Sequence, residues 1–146
     1  MPRTATLKNQ HDAAEALVVR IKDACRTPPS DAQAFQISLM LAKLTGLLRI
    51  HFAQEDEILY PFMEAASDET AARTARAFRE EMGGLSATYA AFAERWRNSR
   101  EMTADFPAFR RECDAVFAAL AERIARENRM LYPLADALSA DLPHAV

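Results

Sequence analysis

Ile37, Leu41, Leu44 and Leu48 follow one another at steps of four and three, and the rhythm continues through His51 and Glu55 to Ile58 and Phe62. Phe109, Cys113, Val116 and Leu120 repeat it, leading through Arg123 and Glu127 to Met130 and Leu134. This spacing sets each series on one face of a helix, as a seam that only other helices can cover. A third segment offers Phe78, Met82, Leu85, Tyr89, Phe92 and Trp96, and a weaker first one offers His11, Ala14, Val18, Ile21 and Cys25. Three breaks separate the segments: "RTPPSD" at 26–31, "AASDET" at 65–70 and "NSREMTADFP" at 98–107. Connections this short join antiparallel neighbours, and Ser30, Ser67 and Asp105 are suited to capping the helices that follow. The expectation is an all-α, single-domain, up-down-up-down four-helix bundle spanning 1–146, with helices at roughly 4–25, 31–65, 68–97 and 106–138.

Composition agrees and removes several classes of function. Half of the residues are hydrophobic and only three are glycine, which favours helices packed on helices. A net charge of −3 leaves no basic stripe for nucleic acid. No apolar run approaches the ~20 residues needed to cross a membrane. The opening "MPRTATLKNQ" lacks the apolar stretch of a secretory signal. Cys25 and Cys113 fall in helical patterns and are expected to be reduced and buried, in a cytoplasmic protein. By helical rise they stand roughly 15–20 Å from the polar positions below, and no nucleophile–base pair of a conventional enzyme is apparent.

The two best seams are each interrupted by charge. "HFAQEDEILYP" at 51–61 is echoed by "RIARENRMLYP" at 123–133. Ala53, Glu55, Leu59, Tyr60 and Pro61 recur as Ala125, Glu127, Leu131, Tyr132 and Pro133, and Asp56 is answered by Asn128. One difference stands out on the inward seam: His51, which opens the first copy, is Arg123 in the second. Helical rise places His11, His51, Glu55, Met82, Arg123 and Glu127 in one layer of the bundle. Polar groups there must find partners or cost about 1–3 kcal/mol each. Pro61 and Pro133 are expected to kink or interrupt their helices. Tyr60 and Tyr132 would pack at those breaks with their hydroxyls bonded nearby, or reach the polar cavity. His144, in the tail, is expected to be inert.

Histidine and glutamate one turn apart, facing a similar pair across a bundle, supply nitrogen and oxygen ligands suited to iron, manganese or zinc. At these residues the chain resembles the hemerythrin-like, or HHE cation-binding, family over essentially its whole length. The resemblance implies a four-helix bundle around a non-haem di-iron centre that binds or senses iron, dioxygen or oxidants. It assigns His11 as the first-helix ligand, His51 and Glu55 as the second-helix ligands and Glu127 as the fourth-helix carboxylate. Arg123 stands where the family has a fourth-helix histidine, Met82 where it has one in the third helix, and Ser86 where some members have another. Arginine cannot ligate, and methionine suits hard iron poorly. Reversible dioxygen carriage is therefore not expected.

Three readings follow. A reduced site of His11, His51, Glu55 and Glu127 would hold one ion, or an altered pair, for a small ligand such as dioxygen. Arg123 would then assist from behind, and Glu80 or Glu81 would swing in from the third helix, although the seam points Met82 inward. Alternatively, Arg123 pairs with Glu55 and Glu127 in a metal-free cluster, and the protein is structural or partner-binding. The third reading places a non-covalent haem between a histidine and Met82, where Gly83 and Gly84 permit close approach.

Overall fold

The computed structural model describes residues 4–140, so His144 lies outside the described part. Among these residues the regular structure is entirely helical. Helix α1 (Thr4–Ala24) packs against α2 (Asp31–Gln54), which continues through Glu55–Leu59 into α3 (Tyr60–Glu64). Then come α4 (Glu69–Arg95), the short α5 (Ser99–Ala104) and α6 (Phe106–Arg126), which continues through Glu127–Leu131 into α7 (Tyr132–Ala140). α4 packs on both α2 and α6, and α6 also meets α1, closing a helical bundle. No helix of the described residues is long and apolar enough to cross a membrane.

The caps are specific. Ser30 accepts from the Gln33 backbone N–H while the Gln33 side chain accepts from the Ser30 N–H, a reciprocal box that starts α2. Asp105 caps α6 as expected. For α4 the cap is Asp68 and not Ser67: its carboxylate accepts from the Ala71 N–H, adding negative charge at the positive end of the helix. The stretch 98–107, expected as a plain connection, holds α5, which Asn98 caps.

The prolines act differently from a simple break. At Glu55–Leu59 and Glu127–Leu131 the chain widens into a π turn, in which the N–H of Tyr60 bonds the Glu55 carbonyl and that of Tyr132 the Glu127 carbonyl. Pro61 and Pro133 have no N–H to donate, and their rings would crowd the carbonyls four residues back. One extra residue per turn makes room without ending the helix. It also shifts the register. Ile58 and Met130, expected inward, are 53% and 45% exposed, and Leu59, Tyr60, Leu131 and Tyr132 are buried in their place. Phe62 and Leu134 are only half-buried. In α1 it is Leu17 that is buried, with Val18 half-buried beside it, and Leu85 of α4 is half-buried.

Two apolar clusters result. One joins Leu41, Leu44, Phe92, Trp96, Phe109 and Phe117. The other joins Leu7, Leu59, Met63, Phe78, Leu131 and Ala135. Cys25 and Cys113 are buried free thiols in or beside the first, and burial pushes Cys25 up to about 11, the range of an inert thiol. Between the clusters, on three of the four long segments, lie the polar positions: His11 between Leu7 and Ala14, His51 between Leu48 and Leu59, Arg123 between Leu120 and Leu131.

The π turns make a test of register. Leu59→Ala should cost about 2–5 kcal/mol as a buried large-to-small change, while Ile58→Ala should stay within about 0.5 kcal/mol. Denaturant unfolding of both variants measures the difference; equal losses would contradict the shifted register.

Candidate metal centre

α1 contributes His11, α2 contributes His51, and the two π turns open with Glu55 and Glu127. All four side chains are buried, and one ligating atom from each lies within 4.8 Å of every other. The π turns matter here because each begins at its glutamate, so the carboxylate and the tyrosine five residues later both face inward.

Each imidazole is held from behind. His51 Nδ1 bonds the side-chain oxygen of Gln10 at 2.7 Å, and the Gln10 amide nitrogen donates to Gln54 at 2.8 Å. That second bond makes the Gln10 oxygen an acceptor, so His51 Nδ1 carries the proton. His11 Nδ1 meets the Asn128 side-chain oxygen at 2.8 Å in the same way. Both Nε2 atoms therefore turn inward, 3.2 Å from each other. Two neutral imidazoles so anchored would face each other lone pair to lone pair, and only a proton or a cation between them relieves this.

The carboxylates complete the set. Glu127 Oε1 lies 2.8 Å from His11 Nε2 and 3.6 Å from His51 Nε2. Glu55 Oε2 accepts from the Tyr132 hydroxyl at 2.8 Å, and Oε1 is 3.4 Å from His51 Nε2 with no hydrogen-bond partner. Burial, then the charge of Glu127, raises Glu55 well above the usual carboxylate range. Burial acts the same way on Glu127, but sharing of a proton with the inward Nε2 atoms of His11 and His51, 2.8 and 3.6 Å away, overcomes it and holds that carboxyl low. Burial lowers His51, against the pull of Glu127. It also raises the Tyr60 and Tyr132 phenols, helped by the two glutamates, so both remain hydrogen-bond donors.

Arg123 is buried beside this cluster, and of its two expected partners it meets Glu127 but not Glu55. Nη1 donates to Glu81 at 3.2 Å, and Nη2 to the Tyr60 hydroxyl at 3.1 Å and the Phe78 carbonyl at 2.6 Å. Nε lies 3.5 Å from Glu127 Oε2, and the guanidinium stacks on the Phe78 ring at 4.4 Å. Glu55 is not among its ion pairs; the Tyr132 hydroxyl takes that carboxylate instead. Glu81, half-exposed, clamps Arg123 and Arg126 together from α4, and the guanidinium of Arg126 holds its carboxyl low.

Met82 and Ser86 line a groove of about 990 Å³ between α2 and α4, floored also by Tyr60, Tyr89 and Trp96. Neither histidine lines it, so no His–Met pair brackets a flat cofactor there. Tyr60 is the shared wall: its side chain lines the groove and its hydroxyl bonds Arg123. Gln10 and Asn128 are the functional neighbours that sequence reasoning passed over. The only signal for them was an amide next to a candidate ligand, with Asn128 standing where the first copy has Asp56.

The donor set fits an ion. Two ligands on opposite sides of a first-row metal are ~4.2 Å apart, twice a bond of about 2.1 Å, so atoms already gathered within 4.8 Å need little movement to close on one. The orphaned Glu55 oxygen and the facing Nε2 atoms are the groups an ion would satisfy. Searches of curated proteins and of solved structures return no match. The sequence profile described as the hemerythrin HHE cation binding domain matches residues 3–135. With nearly the whole chain matched and the candidate ligands drawn together inside it, the protein belongs to the hemerythrin HHE cation-binding domain family.

Proposed function

We propose that this protein binds a first-row transition-metal ion, iron by family, through His11, His51, Glu55 and Glu127, and uses it to bind or sense dioxygen or a related small oxidant. The observation that carries the reading is the paired anchoring of the imidazoles: Gln10 and Asn128 fix both Nδ1 atoms, so both Nε2 atoms are presented to one point. Metal sites hold their histidines in this way, from the far ring nitrogen. Two nitrogens and two carboxylates suit iron, manganese and zinc. A bound iron ion would supply redox chemistry and a position for an outside ligand.

The rest falls to the chain. The apolar clusters above and below the layer exclude water and sharpen every charge within it. Tyr132 holds Glu55 from one side and touches His11 Nε2 at 3.1 Å. Tyr60 and Met82 are buried walls of the groove between α2 and α4, and the Tyr60 hydroxyl bonds Arg123 beside the cluster. The alternating up-down-up-down course, a single domain and a reducing cytoplasmic setting are part of the same reading. They are supported by the short connections and by two buried free thiols.

A metal-free reading rests on a specific observation of its own. Arg123 has Glu81, Tyr60, the Phe78 carbonyl and Glu127 around it, and Tyr132 satisfies one oxygen of Glu55. In that form the layer is a structural polar network.

Metal analysis after anaerobic reconstitution separates the two. Bound iron should reach at least one equivalent and fall to background in His51→Ala. Gln10→Ala should lower affinity about 10–100-fold through loss of the imidazole anchor. Failure of iron, manganese and zinc alike to bind would leave the metal-free network as the correct account.

A further inference from the structure

The two halves of the internal repeat can be laid over one another atom by atom. His51 Nε2 lies 3.4 Å from Glu55 one turn on, and Arg123 Nε lies 3.5 Å from Glu127 one turn on. Each pair is followed by a π turn and a buried tyrosine. The tyrosines cross over: Tyr132 donates to Glu55 of the first half, and Tyr60 accepts from Arg123 of the second. The guanidinium thus holds the position in its half that the ligating imidazole holds in the other.

The neighbouring helices break the symmetry in the same sense. Beside His51, α1 presents His11 with its Nε2 turned inward, a nitrogen able to ligate. Beside Arg123, α4 presents the Phe78 carbonyl and the Glu81 carboxylate, both acceptors, with Met82 one turn beyond. One half is assembled from groups that bind a cation. The other is assembled around a cation already covalently attached.

Glu127 joins them. Its Oε1 faces His11 and His51, and its Oε2 faces Arg123. A carboxylate with one oxygen toward each of two positive centres is arranged as a bridge between two cations, and arginine keeps its charge at any accessible pH.

We infer that the Arg123 guanidinium is a built-in second cation, so that the centre accepts one metal ion where the family resemblance implies two. The inference rests on the metal-binding reading above and departs from the family in the number of ions. A second ion on the Arg123 side would face a fixed positive charge and would find one shared carboxylate oxygen, a half-exposed glutamate and a phenol, with no ring nitrogen. Replacing the guanidinium by an imidazole removes the charge and supplies that nitrogen.

The test is a stoichiometric titration of the metal-free full chain with Mn(II) and Fe(II) under anaerobic conditions, read by elemental analysis and by electron paramagnetic resonance. Wild type should saturate at one equivalent, with an isolated Mn(II) signal. Arg123→His should take up two equivalents and lose that signal to magnetic coupling between neighbouring ions. Arg123→Lys, which keeps the charge and is less demanding of the fold, should stay at one. Two equivalents in wild type would overturn the inference while leaving metal binding intact. A folded Arg123→His protein still saturating at one would overturn the role of Arg123. No uptake in wild type would overturn the metal-binding reading itself, and the one-ion count with it.

Discussion

Glu127 is the group on which the polar layer depends. It is 1% exposed, and its two oxygens are committed to different neighbours, the imidazoles on one side and a guanidinium on the other. A carboxylate stripped of water in an apolar core would be expelled or protonated without compensation. Here three helices bring that compensation: α1 through His11, α2 through His51 and α6 through Arg123. Because the compensation comes from separate segments, the carboxylate also fixes how they stand relative to one another. The apolar seams alone would allow the helices to slide by a turn. A hydrogen-bonded charge in the middle of each seam removes that freedom, a role that buried polar groups take in helical assemblies.

The proline-linked π turns give this charge its surroundings. A regular helix would have carried Ile58 and Met130 inward and left the tyrosines to the side. The extra residue in each turn brings Leu and Tyr inward together, so that each tyrosine closes the apolar cluster below the layer and sends its hydroxyl up into it. The repeat of Leu-Tyr-Pro after each glutamate is therefore one structural unit used twice: the proline demands the wide turn, and the turn delivers the phenol.

Much of this was open to a reading of the sequence. The seams from Ile37 to Glu55 and from Phe109 to Glu127 hold because steps of three and four mean one thing in a helix. His11, His51, Glu55 and Glu127 come together because helix lengths and short connections set their heights in the bundle. The register after the prolines was not readable, because periodicity assumes the α spacing that Pro61 and Pro133 alter. Ser67 lost the cap to Asp68 for a local reason, a carboxylate one residue closer to the helix start. The partners of Arg123 were beyond reach, since a long side chain can bend toward any of several acids. The sequence placed Glu55 and Glu127 in the same layer as its partners; Glu127 stands beside it, but Tyr132 takes Glu55 and Glu81 reaches across from α4. Gln10 and Asn128 were hidden for the same reason: an amide next to a candidate ligand in sequence does not say which histidine it will meet, and neither meets its neighbour.

Arg123 also bears on how such a layer folds before any ion arrives. Two buried carboxylates with no positive partner would oppose burial of the whole layer, and folding would wait on metal. With a guanidinium in place, Glu127 is balanced within the chain. Glu55 is held by its Tyr132 hydrogen bond, and burial together with the Glu127 charge raises its affinity for a proton. The apolar clusters on either side can then close around a charge-balanced layer that still leaves one oxygen of Glu55 without a hydrogen-bond partner. Under the proposed metal-binding reading, an ion would take the place of a proton at Glu55, and four ligating atoms already within 4.8 Å of one another would need little reorganisation to hold it. A change of arginine for histidine in this setting does more than subtract a ligand. It builds one positive charge into the chain, so that Glu127 in the second half of the repeat is balanced without an ion from solution.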